Sequence, residues 1–299
     1  MSASVSVSVS VCMFTRRRWA TPFVIASLAL GLLAHDVLAA SSFATPAFQQ
    51  RWSQDEGLIR NFWGPLALAT NGQPEAYVYD NSCVPIPQDA TSYYCLPAPN
   101  TLQRTVQYFD KGRMEANPLP GKSQVTSGLL VREMISGNMQ TGDRTSVQRQ
   151  PAAIAIAGDL DNTFPKYSDL TTARVPMILP AGAPVSTQLN ADGSASAVAP
   201  AAVPDAASAI STTDTVTQVA VPRVFDDFRA RIGVDVIGYA ISGPFYVSVR
   251  IGGVQRRVLM QAFERRVLTY NAANPPEFQV EFGNVGRHYY RWRYGVDPS

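Results

Sequence analysis

Histidine is almost missing from this chain. Of 299 residues, two are histidine, His35 and His288, and only His288 lies beyond the apolar N-terminal segment. A serine or cysteine triad needs a general base held by an orienting partner. His288 sits in "GRHYYRWRY" (286–294), with no nucleophile or orienter identifiable, and reads as a packed residue among aromatics. Alternation would place His288, Tyr290, Trp292 and Tyr294 on one face of a strand.

Other chemistries lack their donors too. There is no His-Glu-x-x-His, no Cys-x-x-Cys and no glycine loop with its lysine to cradle phosphate. "GDLDN" (158–162) resembles a fragment of a calcium loop but lacks the loop glycine and the distal glutamate, so it reads as a solvated turn. No metal and no cofactor are expected. Lysine supplies three of the 25 basic side chains, Lys111, Lys122 and Lys166. Genomic base composition explains that bias as well as any preference for planar guanidinium chemistry does. The formal net charge of +2 creates no overall field, and no nucleic acid is expected as a partner.

Cysteine is scarce as well. Cys12 precedes the apolar run, which leaves Cys83 and Cys95 as the pair in the mature chain. An even pair in an exported protein is most simply a disulfide, here closing the proline-containing loop "VPIPQDATSYY". Export is read from residues 1–40: "RRR" (16–18), the apolar "ATPFVIASLALGLLA" (20–34) and small residues in "VLAA" (37–40). The apolar run falls short of the ~20 residues a transmembrane helix needs, so no stable membrane span is expected after cleavage. Met1 and Met13 both remain as starts, and "TRRRW" carries a faint twin-arginine pattern ranked below ordinary secretion. The product is expected outside the cell or on its surface.

What the chain does have is an unusual string used twice. "VQYFDKGRME" (106–115) and "MQAFERRVLT" (260–269) both run Gln, any residue, Phe, acid, base. Other landmarks follow the same order in each half. Aromatics at helical spacing come first, Phe48 and Trp52, then Phe225 and Phe228. Thr45-Pro46 suits the start of the first helix. Gly-containing turns follow, "FWGPLAL" (62–68) and "IGYAISGPF" (237–245). After the quoted strings come Asn117-Pro118 and Asn274-Pro275, then "VTSGLLVRE" (125–133) and "VEFGNVGRH" (280–288). Collinear agreement over several landmarks points to an internal duplication.

The expected fold is α+β and strand-rich: two related modules, each a short helix, a turn, a β-hairpin and a Val-x-x-Gly segment. Phe109 and Phe263 should point into equivalent cores. Arg266 stands where the first copy has Gly112, so the second turn should differ slightly. "AAIAIAGD" (152–159) is expected to add a strand. The segment 181–222 is Ala, Ser, Thr, Pro and Val with three aspartates, no basic residue and no aromatic, which predicts a disordered linker. The division is therefore 1–40 signal, 41–180 N-terminal module with the disulfide loop, 181–222 linker, 223–299 C-terminal module. Residues 41–180 hold 11 basic and 12 acidic side chains, and residues 223–299 hold 11 and 7, a modest positive bias in the second module.

"QYFDKGRME", "QAFERRVLTY" and "VEFGNVGRHYYRW" resemble a repeat module of exported bacterial proteins of largely uncharacterised function. That module has a helix, a Gly-Tyr-Pro turn, a Gln-x-Phe-Glu-Arg hairpin and a Val-x-x-Gly end. A more distant likeness is to Leu-Gly-Phe-Pro repeats thought to bind cell walls; here "GYAIS" and "WGP" replace the expected turn. The resemblance implies an appendage-type module, often found beside hydrolases of peptides or glycans, and supplies no catalytic residue.

Three readings of function follow. The first is a non-catalytic exported protein that binds cell-wall or extracellular polysaccharide. Its candidate ligand-binding residues are Trp63, Tyr93, Tyr94 and Tyr289 as flat faces for sugar rings, with Arg291 and Arg293 for acidic groups. The second is a glycan hydrolase using carboxylates drawn from Asp110, Glu115 and Glu264. Asp110-Lys111 and Glu264-Arg265 are equivalent acid–base pairs, however, and suit hairpin ion pairs better. The third is a structural or adhesive surface protein that binds other proteins. Oligomeric state is not legible.

Overall fold

A computed structural model describes residues 42–80, 83–86, 89–95, 100–118, 125–159, 161–198 and 206–298, with 83–86 and 89–95 described by backbone alone. Residues 1–40, which were expected to direct export, lie outside the described residues, as do the side chains of Tyr93, Tyr94, Cys83 and Cys95. Helix α1 (Pro46–Leu58) starts where its sequence directs: Thr45 Oγ1 accepts the Phe48 N–H at 3.2 Å and Pro46 takes the first helical position. Next along the chain come β1 (Gln73–Tyr79), a hairpin of β2 (Cys83–Ile86) and β3 (Asp89–Cys95), then β4 (Asn100–Phe109), β5 (Gly112–Ala116) and β6 (Val125–Thr126). Strands β1, β4, β5 and β6 form an antiparallel sheet in that order. Helix α2 (Leu130–Ser136) closes this half, followed by the small hairpin β7 (Asn138–Gln140) and β8 (Ser146–Gln148).

The second half repeats the order. After β9 (Thr187–Leu189), β10 (Ala195–Ala197), β11 (Ile210–Thr213) and β12 (Ala220–Pro222) come α3 (Arg223–Ile232) and the short α4 (Val234–Ile237). Strands β13 (Phe245–Ile251), β14 (Val254–Ala262), β15 (Val267–Tyr270) and β16 (Val280–Phe282) form the meander, and α5 (Val285–Tyr294) ends it. Helix, four antiparallel strands, helix thus occurs in both halves, a strand-rich α+β architecture.

The described parts of segment 181–222, residues 181–198 and 206–222, correct the expectation of a disordered linker. Strands β9 and β10 extend the second meander into a six-stranded sheet, and β11 pairs with β12. Val185, Leu189, Val198, Ile210, Val219 and Val221 are buried, five of them in one cluster with Phe48, Trp63, Phe109, Phe225 and Phe263. Asp214, 2% exposed, pairs with Arg229 and accepts the backbone N–H groups of Val216, Thr217 and Ala240. Small apolar residues and strand pairing supply the burial that a low aromatic content seemed to deny. Core and contacts run across both halves, and Leu38–Ser299 forms one compact unit.

The repeated string now has a physical explanation. Gln107 and Gln261 are wholly buried, and each side-chain amide clamps two backbone carbonyls: Gln107 donates to Thr70 (2.9 Å) and Ser42 (3.2 Å), Gln261 to Ser242 and Ala220 (both 2.9 Å). The residue after each glutamine clamps the same turn, with Thr70 Oγ1 accepting from Tyr108 N–H and Ser242 Oγ from Ala262 N–H. Phe109 and Phe263 are 1% and 0% exposed, as expected of a ring that leaves water while its charged neighbours remain in it. The acid packs over a glycine held at positive φ: a Cβ on Gly64 (φ +87) would lie 2.6 Å from Asp110 Cβ, and one on Gly238 (φ +86) 2.8 Å from Glu264 Cβ.

The acids' carbonyls then reach across halves. Glu264 O accepts the N–H groups of Val131 and Arg132 in α2, whereas Asp110 O accepts that of Arg287 in α5. Each half's closing helix therefore docks on the other half's hairpin. The register is shared, with Gln107 opposite Met114 and Gln261 opposite Leu268. Arg266 and Gly112, which hold the same place in the two strings, meet directly: the buried guanidinium occupies the space a Gly112 side chain would need, 2.0 Å from its Cβ position, and lies 4.8 Å from the Trp63 ring centroid.

Two local expectations are corrected. "GRHYYRWRY" is helix, not strand: Val285, Tyr289 and Trp292, spaced four and three apart, are buried together with Gly286. Residues 152–159 form no strand; Ala155 makes only an isolated bridge to Lys166. At the β2–β3 hairpin, Cys83 lies opposite Cys95 in the register. Opposed residues of an antiparallel pair have Cα atoms about 4.5–5.5 Å apart, inside the range a disulfide spans. In denatured, unreduced protein Cys83 and Cys95 should therefore both resist thiol alkylation, read by peptide mapping; alkylation of both would contradict the bond.

Candidate functional site: a basic cleft beside helix α5

A cleft of about 630 Å³ opens between α5, the loop 153–166 and the face of the second sheet. The loop is held by backbone hydrogen bonds, Ile156 N–H to Pro165 O (2.7 Å) and Asp159 N–H to Arg250 O (2.8 Å). Arg287, His288 and Arg291 lie within one turn of α5 and all line the cleft. Lys111 arrives from the hairpin of the first half, and Lys166 from the loop. Lys111 Nζ donates to Phe282 O (2.9 Å) and Asn284 Oδ1 (3.0 Å). Burial pushes its pKa down, against the pull of Asp110 and Glu281.

His288 is half-buried, with Nδ1 3.0 Å from the hydroxyl of Tyr167. Burial comes first among the forces on it, followed by Arg287, Lys111 and Arg291; together they hold its pKa down at about 4. Burial likewise raises the Tyr167 hydroxyl, which stays protonated. The pair has no nucleophile bonded to it among the described residues. Asp159, Glu281 and Asp297 are the carboxylates lining the cleft. Asp159 is already engaged, accepting the N–H groups of Gly252 and Gly253 at 2.8 Å each and so holding the β13–β14 turn.

The residues expected from sequence scatter. Arg291 lines the cleft and is exposed. Arg293 instead turns inward to Glu75, at 3.2 Å. Trp63 and Tyr289 are fully buried core residues and present no face to a sugar. Trp63 packs 5.4 Å from the ring of Phe109 and donates Nε1–H to Asp55 at 2.9 Å, while Tyr289 lies under Arg113 and donates to Glu133. The tested carboxylates do not assemble either. Glu264 pairs with Arg132, Glu115 with Arg104 and Arg113, and Asp110 borders only a small cavity of about 90 Å³ beside Arg287. None of the three lines the large cleft. Sequence reasoning missed Lys111, Lys166 and Arg287. The i, i+4 pair Arg287 and Arg291 becomes a signal only once 285–294 is read as helix.

Among the described residues no group of three or more His, Cys, Asp or Glu could hold a metal ion, and no helix is long and apolar enough to cross a membrane. No protein-family model, curated protein or solved structure matches the chain.

Proposed function

We propose that this is an exported, non-catalytic protein that binds cell-envelope or extracellular polymer, built as a duplication of one module. The cleft carries the reading: it is open, lined from five separate stretches of chain, and basic along its α5 wall. Of the carboxylates that hydrolysis would draw on, Glu115 and Glu264 are paired with arginines, and none of the three candidates lines the cleft. The duplication is supported by the matching order of elements and by the two glutamine clamps, which occupy corresponding places in the two hairpins. On this reading the repeated string is scaffolding, and the ligand is met where the two halves differ.

Secreted protein incubated with purified cell wall and with exopolysaccharide should be retained on at least one fraction, and the polymer should come off unchanged in length. Retention on no fraction would overturn the proposal. Shortened polymer, lost in Asp110→Asn or Glu264→Gln, would establish the hydrolase instead.

A further inference from the structure

We infer that the α5 end of the cleft is an oxyanion site, and that the polymer it receives is an acidic polysaccharide bearing phosphate or carboxylate groups rather than a neutral glycan. This rests on the reading of the protein as a polymer binder and narrows it to one chemical class.

Unbalanced charge is the first ground. Lys111 has exchanged much of its water for two neutral acceptors, the Phe282 carbonyl and the Asn284 amide oxygen. Among the described residues neither Lys111 nor Lys166, Arg287 or Arg291 has a carboxylate within ion-pair distance. For Lys111 the cost of burial outweighs the attraction of the more distant Asp110 and Glu281, and an anion bound from outside would offset it. An ammonium has three donors. Two are used on Lys111, and the third is left for a ligand in the cleft it lines.

The cleft's own carboxylates do not complete it. Asp159 is bound by the Gly252 and Gly253 amides, and Glu281 and Asp297 are exposed side chains at the rim. Burial is the largest force against protonation of His288, and Arg287, Lys111 and Arg291 add to it while Asp297 opposes it.

The second ground is what the walls lack. Neutral sugars and nucleic-acid bases are commonly held by stacking on aromatic faces. The aromatic rings lining this cleft are His288, already edge-on to Tyr167, and Phe282, which is 6% exposed. With no flat face to offer, the site reads charge.

The test uses His288, the sole imidazole past residue 40, as an internal electrode in a proton NMR titration of the secreted protein. An anion bound beside it favours the imidazolium, so polyphosphate or polygalacturonate should raise its pKa by about one unit, and salt should abolish the shift. Dextran should leave it unchanged. The larger of the two acidic shifts assigns phosphate or carboxylate. Arg287→Gln/Arg291→Gln should weaken retention on acidic polymer at least tenfold while leaving thermal unfolding near that of the parent, because neither side chain makes an ion pair. An equal response to dextran would overturn the inference, as would a response to DNA but to neither acidic polymer. Full retention by the double variant, with His288 silent, would overturn this site and leave polymer binding standing. A His288 response without retention on any envelope fraction would sustain the site and remove the polymer-binding reading.

Discussion

Gly286→Val is expected to destabilise the protein by about 4 kcal/mol or more, the range reserved for changes the fold cannot absorb. Helix propensity alone predicts the opposite sign, since glycine inside a helix is worse than valine by roughly a few tenths of a kcal/mol. Packing decides. A Cβ at Gly286 would lie 2.0 Å from Phe109 O, 2.2 Å from Gly112 O and 2.6 Å from Gly112 N, all backbone atoms of the first hairpin. No side-chain rotation relieves such a contact. Helix α5 would have to lift, drawing Val285, Tyr289 and Trp292 out of the core and breaking the Arg287 bond to Asp110. Gly57 in α1 is the control, because its Cβ would meet nothing within 4 Å. Gly57→Ala should stabilise by about 0.5–1 kcal/mol. Urea unfolding of both variants reads the contrast. A valine tolerated at 286 would mean that α5 does not dock on that hairpin.

That docking also marks where sequence was informative and where it was not. In the Gln-x-Phe-acid-base string the burial of Phe109 and Phe263 was legible from residue type, whereas the expected ion pairs within each hairpin do not form among the described residues: Glu264 pairs with Arg132, and Lys111 and Arg265 donate to distant oxygens. The exchange of α2 and α5 between halves was not legible. It is made by backbone groups, Glu264 O and Asp110 O, to which any residue type contributes equally. Segment 181–222 misled because composition counts aromatics and charges, while β9 to β12 are held by backbone pairing and by valines. "GRHYYRWRY" satisfied periods of two and of 3.6 at once, and the helix won because Val285, Tyr289 and Trp292 then face the core together. Trp63 and Tyr289 went to that core for the reason large aromatics usually do, their area. The cleft gathers Lys111, Lys166 and Arg287 from three distant stretches, a juxtaposition that no window of sequence contains.

Arg113→Met should cost about 3–5 kcal/mol at neutral pH, the range for removing one partner of a buried ion pair. Arg113 is 1% exposed and serves two carboxylates at once, Glu115 directly and Glu75 at 3.6 Å, while its guanidinium lies 4.8 Å from the Tyr289 ring centroid. Arg104 bridges the same two acids at 3.1 and 3.3 Å, and Arg293 reaches Glu75 at 3.2 Å. Burial by itself would raise the Glu75 carboxyl. Arg113 and Arg293, with the hydroxyls of Tyr294 and Tyr108, outweigh it and hold the pKa near 2, below its ordinary 4.5. Glu115 is likewise held low, burial being overcome by Arg113 and Arg104.

The sign of the pH dependence follows. A carboxyl whose folded pKa is depressed contributes stability that is fully present above its unfolded value and is lost as pH falls through its folded one. For Glu75 that window runs from about 4.5 down to about 2. Without Arg113 both acids titrate closer to their ordinary range, so the variant has less of this stability to lose. The gap between parent and variant should therefore be widest near pH 7 and should narrow as pH drops below 4.5. Urea unfolding at pH 7 and pH 3 measures it directly. A gap that stays constant between those two points would assign the whole loss to packing of the guanidinium against Tyr289, and the ion network would then contribute nothing measurable to the fold.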